Sequence, residues 1–197
     1  MNKPVLPMSS LSLKLPTADR GIENYRLAAS RSFPAKLQGP LNRVAFSAAH
    51  VVADPFADND PWLTAAIDWD RTIAFREYVW DLGLGVAEAM DTAQRGMGLD
   101  WPTSLELIGR SVRAAQARNA LVFSGAGTDH LAPEDASTID DVIGAYEEQI
   151  AAVEKAGGRI ILMASRALAK IGRSADDYAK VYDRVLSQVR EPVIIHW

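Results

Sequence analysis

The sequence predicts an α/β fold in which short parallel strands alternate with amphipathic helices. Five short apolar runs begin 33 to 41 residues apart, a spacing that fits one strand and one helix in each unit. Between the runs, apolar residues recur three and four positions apart, which is the period of a helix with one buried face. The five predicted strands are 43–49, 84–90, 120–126, 159–165 and 192–196.

Three of the four predicted helices have a recognisable end as well as an apolar stripe. Ser174, with Asp177 three residues later, is typical of a capping box, and Gly83 and Gly157 are typical stops. The four stripes consist of Phe75, Val79 and Leu82; Leu105, Ile108, Val112 and Ala115; Ile139, Ile143, Tyr146, Ile150 and Val153; and Tyr178, Tyr182, Val185 and Val189.

Two architectures fit strict alternation of strands and helices: an open doubly wound sheet and a closed eight-stranded barrel. Neither "GLGVAE" nor "SGAGTD" has the glycine spacing of a dinucleotide-binding turn, which disfavours the open sheet. A (β/α)8 TIM barrel typically needs ~250 residues, so residues 43–197 would supply about its first four and a half βα units. Because "REPVIIHW" ends the chain on an apolar strand, we expect a chain truncated after strand five.

Residues 1–42 differ from this pattern. Polar and apolar residues alternate on both sides of "TADRG", which predicts a β-hairpin, and the proline- and glycine-rich stretch "FPAKLQGPLN" then predicts a connector. The predicted domains are therefore an N-terminal hairpin extension and connector, 1–42, and the barrel part, 43–197.

Composition excludes several classes of protein. A net charge of −4 without any dense cluster of Lys and Arg argues against nucleic-acid binding, and no apolar run is long enough for a signal peptide or a membrane span. The absence of cysteine excludes disulfides, thiolate nucleophiles and Cys-ligated metals. We therefore expect a cytoplasmic protein with a small-molecule substrate, and we predict no cofactor.

In both architectures the active site lies at the carboxyl ends of the strands. Each candidate could have a structural role instead of a functional one. The histidines could form structural hydrogen bonds, Asp129 could cap a turn, and Arg166 could pair with Glu88 or Asp91. Glu88 alternates along its strand in a way that we expect to point it into the barrel interior. The candidate residues are His50, Glu88, Asp91, Thr92, Thr128, Asp129, Ser165, Arg166 and His196.

Three stretches carry a resemblance to a known family. "DPF" at 54–56 with "ID" at 67–68, the glycine-rich turn at 125–129, and "PVIIHW" at 192–197 are similar to segments of the dihydrodipicolinate synthase and N-acetylneuraminate lyase superfamily of TIM-barrel aldolases. The resemblance spans about 44–197. It implies a dihydrodipicolinate-synthase-like branch of that superfamily.

The resemblance implies a carbon–carbon lyase or aldolase that acts on a small oxo acid through a Schiff base. The family's lysine lies on a sixth strand, which would follow Trp197, so this chain alone is expected to be inactive. His196 stands where the family has a tyrosine, and Thr92 is the counterpart of a threonine-rich loop; both would relay protons. Asp91 or Glu88 would orient them. Arg166 would bind the substrate carboxylate, with Ser165, Thr128, Asp129 and His50 completing the substrate site.

Two alternatives remain open at this point. His50, Glu88, Asp129 and His196 could bind a divalent metal that polarises a carbonyl without any lysine. Alternatively, the chain could be a non-catalytic binding module or a half-barrel that dimerises through its open strand edges. A homo-oligomer is the expected assembly.

Overall fold

The computed structural model describes residues 12–27 and 33–196, which fall in two units, Met1–Ala35 and Lys36–Trp197. In the first unit, β1 (Ser12–Pro16) and β2 (Ile22–Arg26) form an antiparallel hairpin. The chain reverses at 17–21, where the Thr17 amide donates to the Gly21 carbonyl at 3.0 Å. The predicted hairpin around "TADRG" is thus confirmed, whereas the domain boundary after residue 42 stays a prediction.

The second unit contains a parallel sheet of five strands whose spatial order follows the sequence. The sheet is curled into half of a barrel, which confirms the predicted α/β fold of the TIM-barrel type. Each strand lies inside its predicted interval. The elements are β3 (Phe46–Ala48), α1 (Trp69–Asp81), β4 (Gly85–Glu88), α2 (Trp101–Arg118), β5 (Val122–Ala126), α3 (Ile139–Lys155), β6 (Arg159–Met163), α4 (Arg166–Ile171), α5 (Ala175–Leu186) and β7 (Ile194–His196).

Apolar residues pack on both faces of this sheet. The larger cluster lies between the strands and the helices and includes the stripe residues Ile108, Val112 and Tyr146. A smaller cluster, which includes Ala87 and Phe123, fills the concave face. Strand residues therefore alternate between the two clusters, as a sheet covered on both faces requires.

The helix ends follow the predicted capping chemistry. Ser174 and Asp177 form a capping box at the start of α5, and Thr138 and Asp141 form another at the start of α3. After α1 the chain turns at Gly83, whose φ of +78° is a left-handed conformation that glycine adopts readily. No helix in 12–27 or 33–196 is long and apolar enough to cross a membrane.

Glu88 does not point into the barrel interior as expected. It shares the helix-facing side of β4 with Val86, while Ala87 between them faces the interior. There its carboxylate accepts two hydrogen bonds from Arg76 of α1, each 2.8 Å long, and another from Ser111 of α2. The Arg76 and Glu88 side chains are both fully buried, so each charge depends on the other.

We predict that Arg76→Met lowers the free energy of unfolding by about 3–5 kcal/mol, because it leaves a buried carboxylate without its counter-charge. The double variant Arg76→Met/Glu88→Met should recover much of that loss, since it removes both charges. Urea denaturation measures the difference. The matched control is Arg71→Met, which breaks an exposed 3.2 Å ion pair with Asp68 and should cost less than about 1 kcal/mol. Equal losses in both single variants would contradict the assignment.

Candidate active site at the carboxyl ends of the strands

A cavity of about 490 Å³ opens at the carboxyl ends of β4 to β7. Its wall includes the loop after β5, the turn between β6 and α4, and the end of β7. The site thus lies at the edge of the sheet where both parallel architectures place it. Five of the nine predicted residues line it: Asp91, Thr128, Asp129, Arg166 and His196.

The other four predicted residues lie outside the cavity lining. Glu88 is on the helix-facing side of β4, and Thr92 is exposed in the 3-10 turn of Asp91–Ala93. The His50 ring packs on Phe75, with ring centres 4.5 Å apart, and the His50 carbonyl accepts a hydrogen bond from Arg76. Ser165 is buried beneath the wall. The functional roles of these four residues stay predictions.

Arg166 projects from the start of α4 into the cavity, and its guanidinium has no ion pair or hydrogen bond to any described residue. The predicted alternative, pairing with Glu88 or Asp91, does not form there. Gly96 lies directly beside the guanidinium, because a Cβ at this position would be 3.3 Å from Nη2 of Arg166. An unpaired guanidinium in a cavity wall is a binding group for an anion with two oxygens.

Hydroxyl groups fix the turn that carries Arg166. Ser165 accepts a hydrogen bond from the Leu168 amide at 3.0 Å and so caps α4. Its oxygen also lies 2.6 Å from Oγ1 of Thr128, in the loop after the neighbouring strand. Tyr146 of α3 donates to the Met163 carbonyl at 2.5 Å. Ser165 therefore supports the cavity wall from behind.

Arg95 is a residue of the site that no sequence pattern indicated. Its guanidinium donates to the Gly125 carbonyl and to the Asp129 carboxylate, at 2.5 Å and 2.7 Å. It also donates to the side-chain oxygen of Gln149, which in turn accepts the Gly127 amide at 2.7 Å. Arg95 and Gln149 are buried, and together they hold the loop that follows β5.

His130 extends this network toward the surface. Its Nδ1 lies 2.7 Å from the amide nitrogen of Gln149, and its Nε2 lies 3.2 Å from a Glu148 oxygen. Because the amide group of Gln149 donates, Nδ1 accepts and the ring proton is assigned to Nε2. His130 does not line the cavity, so its contacts are structural.

Among the described residues, Asp129 is one of two carboxylates that line the cavity, and the other is Asp91. Burial alone would raise the pKa of the Asp129 carboxyl group, but the hydrogen bonds and charge of Arg95, together with Gln149, outweigh burial and lower that pKa. The group is therefore ionised at neutral pH. Its contribution to stability is present above the ordinary pKa of aspartate and is lost as the pH falls through the lowered value.

A local signal existed for Gln149 but not for Arg95. Gln149 lies next to Ile150 within the predicted α3 stripe, and a polar residue on a buried helix face calls for a partner. Arg95 lies in a short turn between Gln94 and Leu99, where no periodicity indicates burial. Its role depends on contacts with β5 and α3 that are distant in sequence.

The predicted metal ligands do not come together. Asp129 and His196 line the cavity, whereas Glu88 and His50 lie elsewhere. Across 12–27 and 33–196, no group of three or more His, Cys, Asp or Glu side chains is placed to hold a metal ion.

Fold and site together define a parallel β/α half-barrel with its cavity at the carboxyl ends of the strands. The chain belongs to the family described as "Protein of unknown function (DUF993)", whose model matches residues 13–197. No curated protein matches the sequence.

A structure titled "Crystal structure of Dihyrodipicolinate Synthase (dapA)" is similar, with a TM-score of 0.57 and 14% sequence identity. The match covers 78% of this chain and 45% of that structure, so the chain spans less than half of its length. The predicted resemblance is supported at the level of the fold.

We predict that Gln149→Leu raises the pKa of the Asp129 carboxyl group, because it removes one of the hydrogen bonds that favour the ionised form. Carboxyl-carbon NMR titration measures this value directly. Gln116→Leu, on the outer face of α2, is the control and should leave the Asp129 titration unchanged. An unchanged Asp129 pKa in Gln149→Leu would show that this bond does not stabilise the charge.

Proposed function

We propose that the protein is an aldolase- or lyase-like enzyme that acts on a small oxo acid. The observation that carries the proposal is the unpaired Arg166 guanidinium in a cavity at the carboxyl ends of barrel strands. Fold similarity to a dihydrodipicolinate synthase supports the same class of chemistry by analogy.

The two arginines that line the cavity differ in their hydrogen-bond partners. Arg95 is saturated by protein oxygens, so its charge is not available to a ligand. Arg166 has no such partners in the described chain, and its planar fork matches a carboxylate. An oxo acid bound there would place its carbonyl group over the adjoining wall.

Proton transfer in this proposal belongs to His196, which lies at the end of β7 on the same cavity. An imidazole can both donate and accept a proton, as the enolisation of an oxo acid requires. Asp91 orients the reacting groups from the end of β4, and Thr92 follows it in the same turn. Thr128 contributes a hydroxyl group from the loop after β5.

The proposed reaction also needs a nucleophile. No lysine is present in the lining of this cavity among the described residues. The resemblance implies a Schiff-base lysine on a sixth strand, outside the five strands seen in this half-barrel. We further propose a cytoplasmic homo-oligomer with no nucleic-acid or membrane partner.

We predict that Arg166→Ala weakens pyruvate binding by about 10-fold or more, since a charge-assisted hydrogen bond contributes about 1.5–3 kcal/mol. Isothermal titration calorimetry on the full-length protein measures the affinity. Arg113→Ala is the matched control, because Arg113 is exposed on α2 away from the cavity and should bind as the wild type does. Undiminished binding in Arg166→Ala would refute the carboxylate assignment.

Borohydride reduction in the presence of pyruvate tests the covalent step. We expect a stable adduct on one lysine of the full-length protein, because reduction converts a Schiff base into a secondary amine. Intact mass spectrometry detects it, and a sample without pyruvate is the control. Binding without an adduct would remove the Schiff base while leaving the oxo-acid site in place.

A further inference from the structure

We propose that the cavity contains a second subsite, formed by the Asp129 carboxylate, that takes a hydroxyl or ammonium donor of the substrate. This inference rests on the proposed oxo-acid function and narrows it to oxo acids that carry such a donor. Arg95 and Gln149 are the positioning residues that hold the acceptor in place.

The two oxygens of Asp129 have different surroundings. Oδ1 accepts from Arg95 Nη2 at 2.7 Å, from Arg95 Nε at 3.2 Å and from Gln149 Nε2 at 3.0 Å. Among the described side chains, Oδ2 accepts only from Arg95, whose Nε lies at 3.2 Å. Each carboxylate oxygen has about two lone-pair sites, so Oδ2 keeps capacity for another donor.

Asp129 is also open to the cavity. Its side chain is 18% exposed, whereas that of Arg95 behind it is 1% exposed. Glycine precedes this loop at position 127, where a Cβ would be 3.5 Å from Oδ1 of Asp129, so no side chain there covers the carboxylate. A ligand in the cavity can therefore contact the Asp129 carboxylate but not the buried guanidinium of Arg95 behind it.

Neighbouring side chains hold the Asp129 carboxylate in a fixed position. The guanidinium binds it from behind, and Gln149 joins the same carboxylate to the Gly127 amide. A preorganised acceptor loses little entropy when a ligand binds, and it discriminates strongly against a ligand that leaves it unpaired. Arg166, on the wall that follows β6, supplies the opposite charge for the acid end of the same ligand.

The experiment compares two pairs of oxo acids that differ only in a hydroxyl group: hydroxypyruvate with pyruvate, and 4-hydroxy-2-oxobutyrate with 2-oxobutyrate. The pairs place the donor at different distances from the carboxylate. We expect the full-length wild type to bind the hydroxylated member of at least one pair about 10-fold more tightly by calorimetry. Equal affinities within both pairs would overturn a subsite for a hydroxyl donor and leave the oxo-acid function intact, and ethanolamine then tests the ammonium donor.

Variants at position 129 identify the acceptor. Asp129→Asn should reduce the preference for the hydroxylated acid, and Asp135→Asn, an exposed control farther along the loop after β5, should leave that preference unchanged. Because Asp129→Asn weakens the pairing of buried Arg95, its folding is checked by circular dichroism. Asp129→Glu keeps the charge and moves the oxygens by one methylene. An unchanged preference in both pairs for Asp129→Glu would overturn the proposal.

A protein that binds none of the four acids would refute the oxo-acid function. The donor subsite is then decided by ethanolamine, which carries both kinds of donor without a carboxylate. Binding that is lost in Asp129→Glu or Asp129→Asn supports the subsite. Absence of ethanolamine binding to the wild type in that case overturns it.

Discussion

The site depends on the complete pairing of one buried guanidinium, that of Arg95. Its donors reach the ends of two strands, through the Ala89 and Gly125 carbonyls, as well as Asp129 and Gln149. A buried charge is tolerated only where such partners surround it. The carboxyl end of β4, the loop after β5 and helix α3 are therefore held in one arrangement by a single side chain.

Three arginines of the barrel unit illustrate how environment decides the role of the same residue type. Arg76 is fully buried against Glu88 and stabilises the layer between sheet and helices. Arg95 is buried against Asp129 at the cavity, where it orients a group that a ligand can touch. Arg166 is exposed in the cavity without a partner in the described chain, and so it alone keeps its binding capacity. The role of each arginine therefore depends on whether the fold pairs its charge with a carboxylate.

The sequence predicted the features that depend on neighbouring residues better than the contacts between distant ones. Strands, helices and the capping box of α5 were predictable because each depends on residues close in sequence, such as Ser174 and Asp177. The location of the cavity was predictable because parallel strands end at one edge, and Asp129, Arg166 and His196 do line it. The orientation of Glu88 was not, since its partners Arg76 and Ser111 come from two helices whose packing no local pattern specifies. Arg95 was missed for the same reason.

Met163 makes part of the cavity wall apolar, which strengthens electrostatic interactions with the charged groups nearby. A Cβ at Gly125 would lie 2.7 Å from the Ala89 carbonyl and 2.8 Å from the sulfur of Met163, so backbone and thioether already fill this space. Met163 also belongs to the apolar cluster of the concave face. Low polarity below the site reduces screening between a ligand and the charged groups around it. Under the proposed function, a carboxylate at Arg166 and a donor at Asp129 would hold an oxo acid in the cavity that Met163 also lines.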